Sequence, residues 1–167
     1  MRASGYNRPM VTTERAPADV APSLGQSSDP RLEANKAVVR RFIEEIFGQQ
    51  NLDAVDELAS DDFTPHTWGP TPPGRDALRE ATTRAGAGVS NAKFEIHDLI
   101  AEGDLVAARL TSSAEHTGEF MGMKPTGKRY SVDEIHIFRL RDGQVTEHWH
   151  EFDRPGLMRQ LSGDPSA

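Results

Sequence analysis

Three of the chain's six histidines, His136, His148 and His150, fall within one short stretch near the C-terminus. Imidazole is the usual general base near neutral pH, with a reference pKa of about 6.5. His148 and His150 are two apart on a predicted strand, so they point to one face. Whether His136 joins them depends on the turn at Arg141-Asp142-Gly143. A three-residue loop with Gly143 in the left-handed position pairs Leu140 with Gln144. His136 then lies opposite His148, His150 lies opposite Glu134, and the rings share a face with Val132, Phe138 and Phe152. A two-residue type I′ turn at Asp142-Gly143 pairs His136 with Trp149 instead and breaks the cluster. Asp-Gly suits either turn.

In an apolar pocket, one ring of such a cluster removes an acidic proton from a carbon next to a carbonyl. A second histidine, or Asp133 or Glu134, orients it. The same spacing also allows a metal: His136, His148 and His150 can offer zinc three nitrogens and leave a fourth position to water. A third reading is a set of cross-strand polar pairs on a half-solvated sheet. The acid–base reading is adopted, with no metal and no other cofactor expected.

The other histidines are weaker candidates. His66 sits beside Trp68 in a Pro-rich loop, where both suit a pocket mouth or a plain surface loop. His116 follows Val106, Ala108, Leu110 and Ala114 on an apolar strand face, which fits a pocket wall or a hydrogen-bonded core position. His97 falls opposite Phe94 and Ile96 and is expected to be exposed. Asp133 shares a face with Ile135 and Ile137, where a buried carboxylate is costly without a partner such as Arg139. Trp149 reads as a packing residue.

The elements that position these groups follow from the hydrophobic pattern. Residues 1–28 are rich in Pro, Ser, Thr, Ala and Gly without apolar periodicity and are expected to be a disordered tail. Asp29 followed by Pro30 is a helix-start signal. Val38, Val39, Phe42, Ile43 and Ile46 recur at helical spacing, and Gly48 ends the run. Asn51 caps a second short helix with Leu52, Val55 and Leu58 inward. Residues 64–74, with four prolines and two glycines, are expected to be a loop. A third helix is predicted over about 75–86; its small residues Ala77, Ala81 and Ala85 imply close packing. Strands follow: one after Asn91, one over 105–116, one over 130–140 and one over 144–152. One or two helical turns over 155–161 close a domain of residues 29–162, and 163–167 form a second tail. Helices first and an antiparallel meander afterwards is an α+β pattern.

Size and composition narrow the function. A chain of 167 residues suits one domain. The formal net charge is −7, with no Lys/Arg cluster, which argues against nucleic acid and anionic membrane surfaces as partners. There is no cysteine, so disulfides, thiolate catalysis and cysteine metal sites are excluded. No apolar run approaches the roughly 20 residues of a membrane-spanning helix. No secretory signal is evident, and a cytoplasmic setting is expected.

Larger motifs carry a resemblance. From Thr117 the chain reads Thr-Gly-Glu-Phe-Met-Gly-Met-Lys-Pro-Thr-Gly-Lys-Arg-Tyr-Ser, and it continues through Val132-Asp-Glu-Ile-His-Ile-Phe-Arg-Leu-Arg-Asp-Gly-Gln-Val-Thr-Glu-His-Trp-His-Glu-Phe-Asp153. Gly-X-X-Pro-Thr-Gly, Arg-X-X-Asp-Gly, a downstream Trp and Asp, and a closing Gln-Leu resemble the SnoaL-like polyketide (ester) cyclase family over about residues 30–162. The resemblance implies a cone-shaped α+β barrel of the ketosteroid isomerase superfamily, a curved sheet packed on N-terminal helices around an apolar pocket, usually as a homodimer. It also implies a cofactor-free intramolecular aldol cyclisation. The family's assisting histidine corresponds to His136, and its aspartate base to His150, a departure in residue type. The resemblance favours the three-residue loop. The resulting expectation is an enzyme acting on a small apolar carbonyl or ester compound. His150 and His136 would be catalytic, and His148, His116, His66, Phe138 and Trp68 would bind substrate.

Overall fold

The computed structural model describes residues 29–69 and 71–163; both predicted tails, apart from Gly163, lie outside them. Asp29 caps the first helix by accepting from the Arg31 amide at 2.9 Å, with Pro30 at the first helical position. This helix, α1, runs Pro30–Arg41 and passes without a break into a π-helical segment, Phe42–Gly48. The wider π turn was not read from the sequence. It buries Phe42, Ile43 and Ile46 completely and brings Phe47, half-buried, against the rings of His136 and His148. Such segments often mark functional sites, because they rotate side chains out of the α-helical register.

Asn51 caps the next turn by accepting from the Asp53 amide, and the short helix α2 spans Val55–Leu58. The chain then forms a strand that the sequence reading missed: β1, Ala59–Pro65, overlaps the start of the expected loop. The helix α3, Arg75–Gly88, and the strands β2, Val89–Glu102, β3, Leu105–His116, β4, Arg129–Arg141, and β5, Gln144–Phe152, fall close to their predicted places. The helix α4, Arg154–Ser162, ends on Gly163 in the left-handed conformation.

The strands form one mixed sheet in the order β1-β5-β4-β3-β2. The β2 to β5 pairs are antiparallel, as expected, while β1 adds to β5 in parallel. Alternation along β4 sorts its side chains cleanly. Val132, Glu134, His136, Phe138 and Leu140 face inward and are buried, while Asp133, Ile135 and Ile137 face out and are exposed. Asp133 therefore meets no burial penalty; it accepts from the Thr111 hydroxyl, and Arg139 pairs with Asp104 and Glu147 instead. The main core lies between the inner face and the N-terminal helices. It includes Val39, Phe42, Ile43, Ile46, Leu58 and Phe63 beside Leu110 and Phe138. A smaller cluster of Val132, Leu157 and Leu161 seats α4.

The turn between β4 and β5 corrects the sequence reading. Arg141 pairs with Gln144, so the loop has two residues, Asp142 and Gly143. Both have positive φ, 53° and 77°, as a type I′ turn requires. The cluster nevertheless survives. Leu140 pairs with Val145 and Arg139 with Glu147, so Thr146 is an extra residue in β5. Val145 and Thr146 are both buried, the mark of a bulge. Beyond it the register has moved by one, and His136 faces His150 rather than Trp149.

Candidate active site

Glu134 is the hub of the site. It is 8% exposed on the inner face of β4. The Ser112 hydroxyl on β3 donates to its Oε1. Its Oε2 lies 2.8 Å from His136 Nε2 and 3.2 Å from His150 Nε2. The first is a formed hydrogen bond; the second is a close electrostatic contact without hydrogen-bond alignment. A carboxylate only accepts, so it fixes the proton of His136 on Nε2. His136 Nδ1 is then an acceptor, 2.9 Å from His148 Nε2, which donates to it. A relay runs from Ser112 through Glu134 and His136 to His148, whose buried Nδ1 meets no protein partner.

The rings stack as well as bond. His136 and His150 lie 4.2 Å apart at 14°, and Phe138 supports His148 at 4.7 Å and His136 at 5.8 Å.

Electrostatics follow from this packing. Burial alone would raise the Glu134 carboxyl, but the His136 N–H and the His150 ring together outweigh it and hold the group down at about 2. Burial pushes His136 down, against the opposing pull of Glu134, and pushes His148 well below the ordinary imidazole value. At neutral pH an ionised Glu134 carboxylate thus lies beside the neutral rings of His136 and His148. Burial and the Glu134 charge push the Tyr130 phenol up to about 12, so it stays a hydrogen-bond donor.

These groups form one wall of a cavity of about 290 Å³. Phe47, Trp68, Phe94 and Phe120 make it largely aromatic. The small residues Ala81, Ala85 and Gly86 of α3 also line it, and at Gly86 a Cβ would meet the Gln50 side chain. Thr82 adds a buried hydroxyl with no protein partner.

Of the residues singled out in the sequence, His136, His148, His150 and Trp68 line this cavity. Three others sit elsewhere. Phe138 is fully buried behind the histidines, and so supports the wall without lining it. His116 is fully buried too, but its Nδ1 is 3.1 Å from the Thr126 hydroxyl and its ring packs on Phe120. His66 lies outside, stacked on Trp149 at 4.4 Å and paired with Glu147 at 2.7 Å, because Pro65 pairs with His148 and the side chains of successive strand residues alternate. His97 is exposed, as expected, beside Thr111. The metal-type grouping also changes: the converging donors are Glu134, His136 and His150, while His148 faces the far nitrogen of His136. Tyr130 was not singled out from the sequence. Its alternation with Val132 and Glu134 on one strand face was the available signal.

A family model for SnoaL-like polyketide cyclases matches residues 37–161. The chain belongs to the SnoaL-like polyketide cyclase family. Among curated relatives, the nogalonic acid methyl ester cyclase of Streptomyces nogalater is 37% identical over 76 residues, covering 44% of this chain and 54% of that protein. An aklanonic acid methyl ester cyclase of Streptomyces galilaeus is 38% identical over 74 residues, covering 44% of this chain and 51% of that protein. The chain thus spans about half the length of the curated relatives it matches. Among solved structures, a SnoaL-like polyketide cyclase candidate from Jannaschia sp. CCS1 superposes with a TM-score of 0.76 at 25% identity, covering 84% of this chain and 100% of that chain. TsrD from Streptomyces laurentii gives 0.71 at 28% identity, covering 77% and 95%. The SnoaL-like α+β fold expected from the motifs is the fold of this chain, and no helix among the described residues is long and apolar enough to cross a membrane.

Proposed function

We propose that this SnoaL-like protein is an acid–base catalyst of aldol-type cyclisation on a small, mostly apolar carbonyl or ester compound. The observation that carries the reading is a carboxylate–imidazole pair, Glu134 and His150, on the wall of an aromatic cavity. Glu134 Oε2 stands 3.2 Å from His150 Nε2, and rotation of the ring into alignment puts the proton on Nε2, leaves Nδ1 with the lone pair and lets the carboxylate stabilise the imidazolium that forms. His150 Nδ1 takes a proton from the carbon next to a substrate carbonyl, and the bonding pair moves into an enolate. Tyr130 donates to the enolate oxygen. The enolate carbon attacks a second carbonyl of the same molecule, forming the new carbon–carbon bond. The resulting alkoxide recovers the proton from His150, so the reaction is balanced without an added reagent. His136 holds Glu134 in place and helps keep it ionised, and His148 holds His136 in turn.

The test uses the methyl esters of nogalonic and aklanonic acid, on which the curated relatives are named as cyclases. Incubation in water should give a cyclised isomer of unchanged formula, and incubation in deuterium oxide should exchange the acidic carbon-bound proton. Binding of either ester with neither exchange nor cyclisation would make the chain a binding module instead. The homodimer implied by the resemblance would use the outer sheet face, where Ile135 and Ile137 stand 47% and 38% exposed. Sedimentation of the wild type and of Ile135→Lys should show a dimer and a monomer respectively.

A further inference from the structure

Glu134 Oε2, His136 Nε2 and His150 Nε2 converge on one point, all within 4.8 Å of one another. We infer that these three atoms form a binding site for a zinc-class divalent cation, with the fourth position on the cavity side.

Donor types and spacing both fit. Two imidazole nitrogens and one carboxylate oxygen are a known catalytic zinc donor set. Bonds of about 2.0–2.2 Å in a tetrahedron set donors roughly 3.3 Å apart. The separations from Glu134 Oε2 are 2.8 Å and 3.2 Å, and all three donors lie within 4.8 Å of one another, so the two rings would rotate toward each other to close on a cation. His150 Nε2 is buried with no aligned partner, and it already points at the carboxylate a cation would share.

The atoms on the far side of the ligands are already engaged. Ser112 holds Glu134 Oε1, and His148 Nε2 sits 2.9 Å from His136 Nδ1. Metal-binding histidines and carboxylates are oriented by outer partners of this kind. Coordination moves the His136 proton from Nε2 to Nδ1, which then donates to His148 Nε2. His148 in turn shifts its proton from Nε2 to Nδ1, and His150 carries its proton on Nδ1 when Nε2 binds the cation, so no proton has to leave the site. The outer pair His66–Glu147 offers one imidazole and one carboxylate on the opposite face and lacks a third converging donor among the described residues.

The inference does not depend on the cyclase reading, because it is read from the metal and not from turnover. If both hold, the cation takes the place of the Glu134–His150 contact and stops the proton transfer.

The experiment titrates chelator-treated full-length protein with Co²⁺, read by visible absorption, and then displaces it with Zn²⁺. One tetrahedral cobalt band per chain, displaced by one zinc, is expected. His150→Ala should weaken binding about 100-fold, and Glu134→Gln by at least as much. His148→Phe, which removes only the outer partner, should weaken it about 10-fold. His66→Ala should leave it unchanged. Circular dichroism of each variant separates lost binding from lost fold. Absence of a cobalt band at millimolar metal, equal affinity in folded His150→Ala, or loss of binding in His66→Ala would overturn the site.

Discussion

His136 and His150 are direct cross-strand neighbours, their rings stacked 4.2 Å apart, and both reach the same oxygen of Glu134. The stack puts two imidazoles on a single carboxylate. Only one of them, His136, is hydrogen-bonded to it; His150 meets it at 3.2 Å without alignment.

Replacement of Glu134 by Gln tests this division of labour. The amide is close in shape but carries no charge to stabilise an imidazolium. On a cyclisation substrate, kcat should fall about 100-fold or more, with KM changed far less. Steady-state kinetics on protein of native circular dichroism checks it. An equal rise in KM with kcat intact would mean that Glu134 only shapes the cavity.

Stability should depend on pH through the buried rings. His148 and His136 are held below their unfolded value of about 6.5. The unfolded chain therefore takes up protons first as pH falls below that value. Stability is full above pH of about 6.5 and is lost as pH falls from there toward the folded-state values. Glu134, held at about 2, adds a second loss once pH passes below its ordinary range. Urea midpoints of chelator-treated protein at pH 8, 6.5, 5.5 and 4.5 should fall in that order below pH 6.5. His148→Phe should flatten the upper limb.

Thr146 is the unpaired residue of the bulge: Leu140 pairs with Val145 and Arg139 with Glu147 on either side of it. Its deletion would remove the bulge and keep both pairs, so His136 would still face His150 and the histidine contacts would stay. The cost comes from losing the buried Thr146 side chain and the bond from its hydroxyl to the Arg139 carbonyl, about 1–3 kcal/mol. Chemical denaturation and imidazole NMR shifts check it. Lost histidine contacts in the deletion variant would mean that the bulge itself holds the register.

Gly88, where α3 meets β2, faces a close wall. A Cβ there would lie 2.8 Å from Phe120 Cβ and 2.9 Å from the Glu119 carbonyl oxygen. Gly88→Ala should cost about 1–3 kcal/mol through overpacking and shift Phe120, which lines the cavity. Thermal melts with near-ultraviolet circular dichroism would show both effects. Gly103→Ala meets nothing within 4 Å, and its cost comes only from its positive φ of 60°. The comparison separates crowding from backbone strain.

The sequence by itself determined the local structure: the helix start at Asp29-Pro30, the apolar stripe from Val38 to Ile46, the alternation of β4, and the common face of His148 and His150. Each of these is a periodicity written into neighbouring residues, so short-range sterics and burial suffice to read it. Tertiary structure decided the rest. The type I′ turn and the Thr146 bulge shift the register in opposite senses, and only pairing along the whole of β4 and β5 shows that they compensate. The strand β1 was hidden because its end, Thr64-Pro65, opens the Pro-rich run expected to be a loop, and its parallel partner β5 is distant in sequence. Glu134 became the hub only when β3 brought Ser112 to one oxygen and β5 brought His150 to the other. Which groups surround a buried charge is a property of three strands meeting, and no single stretch of sequence contains it.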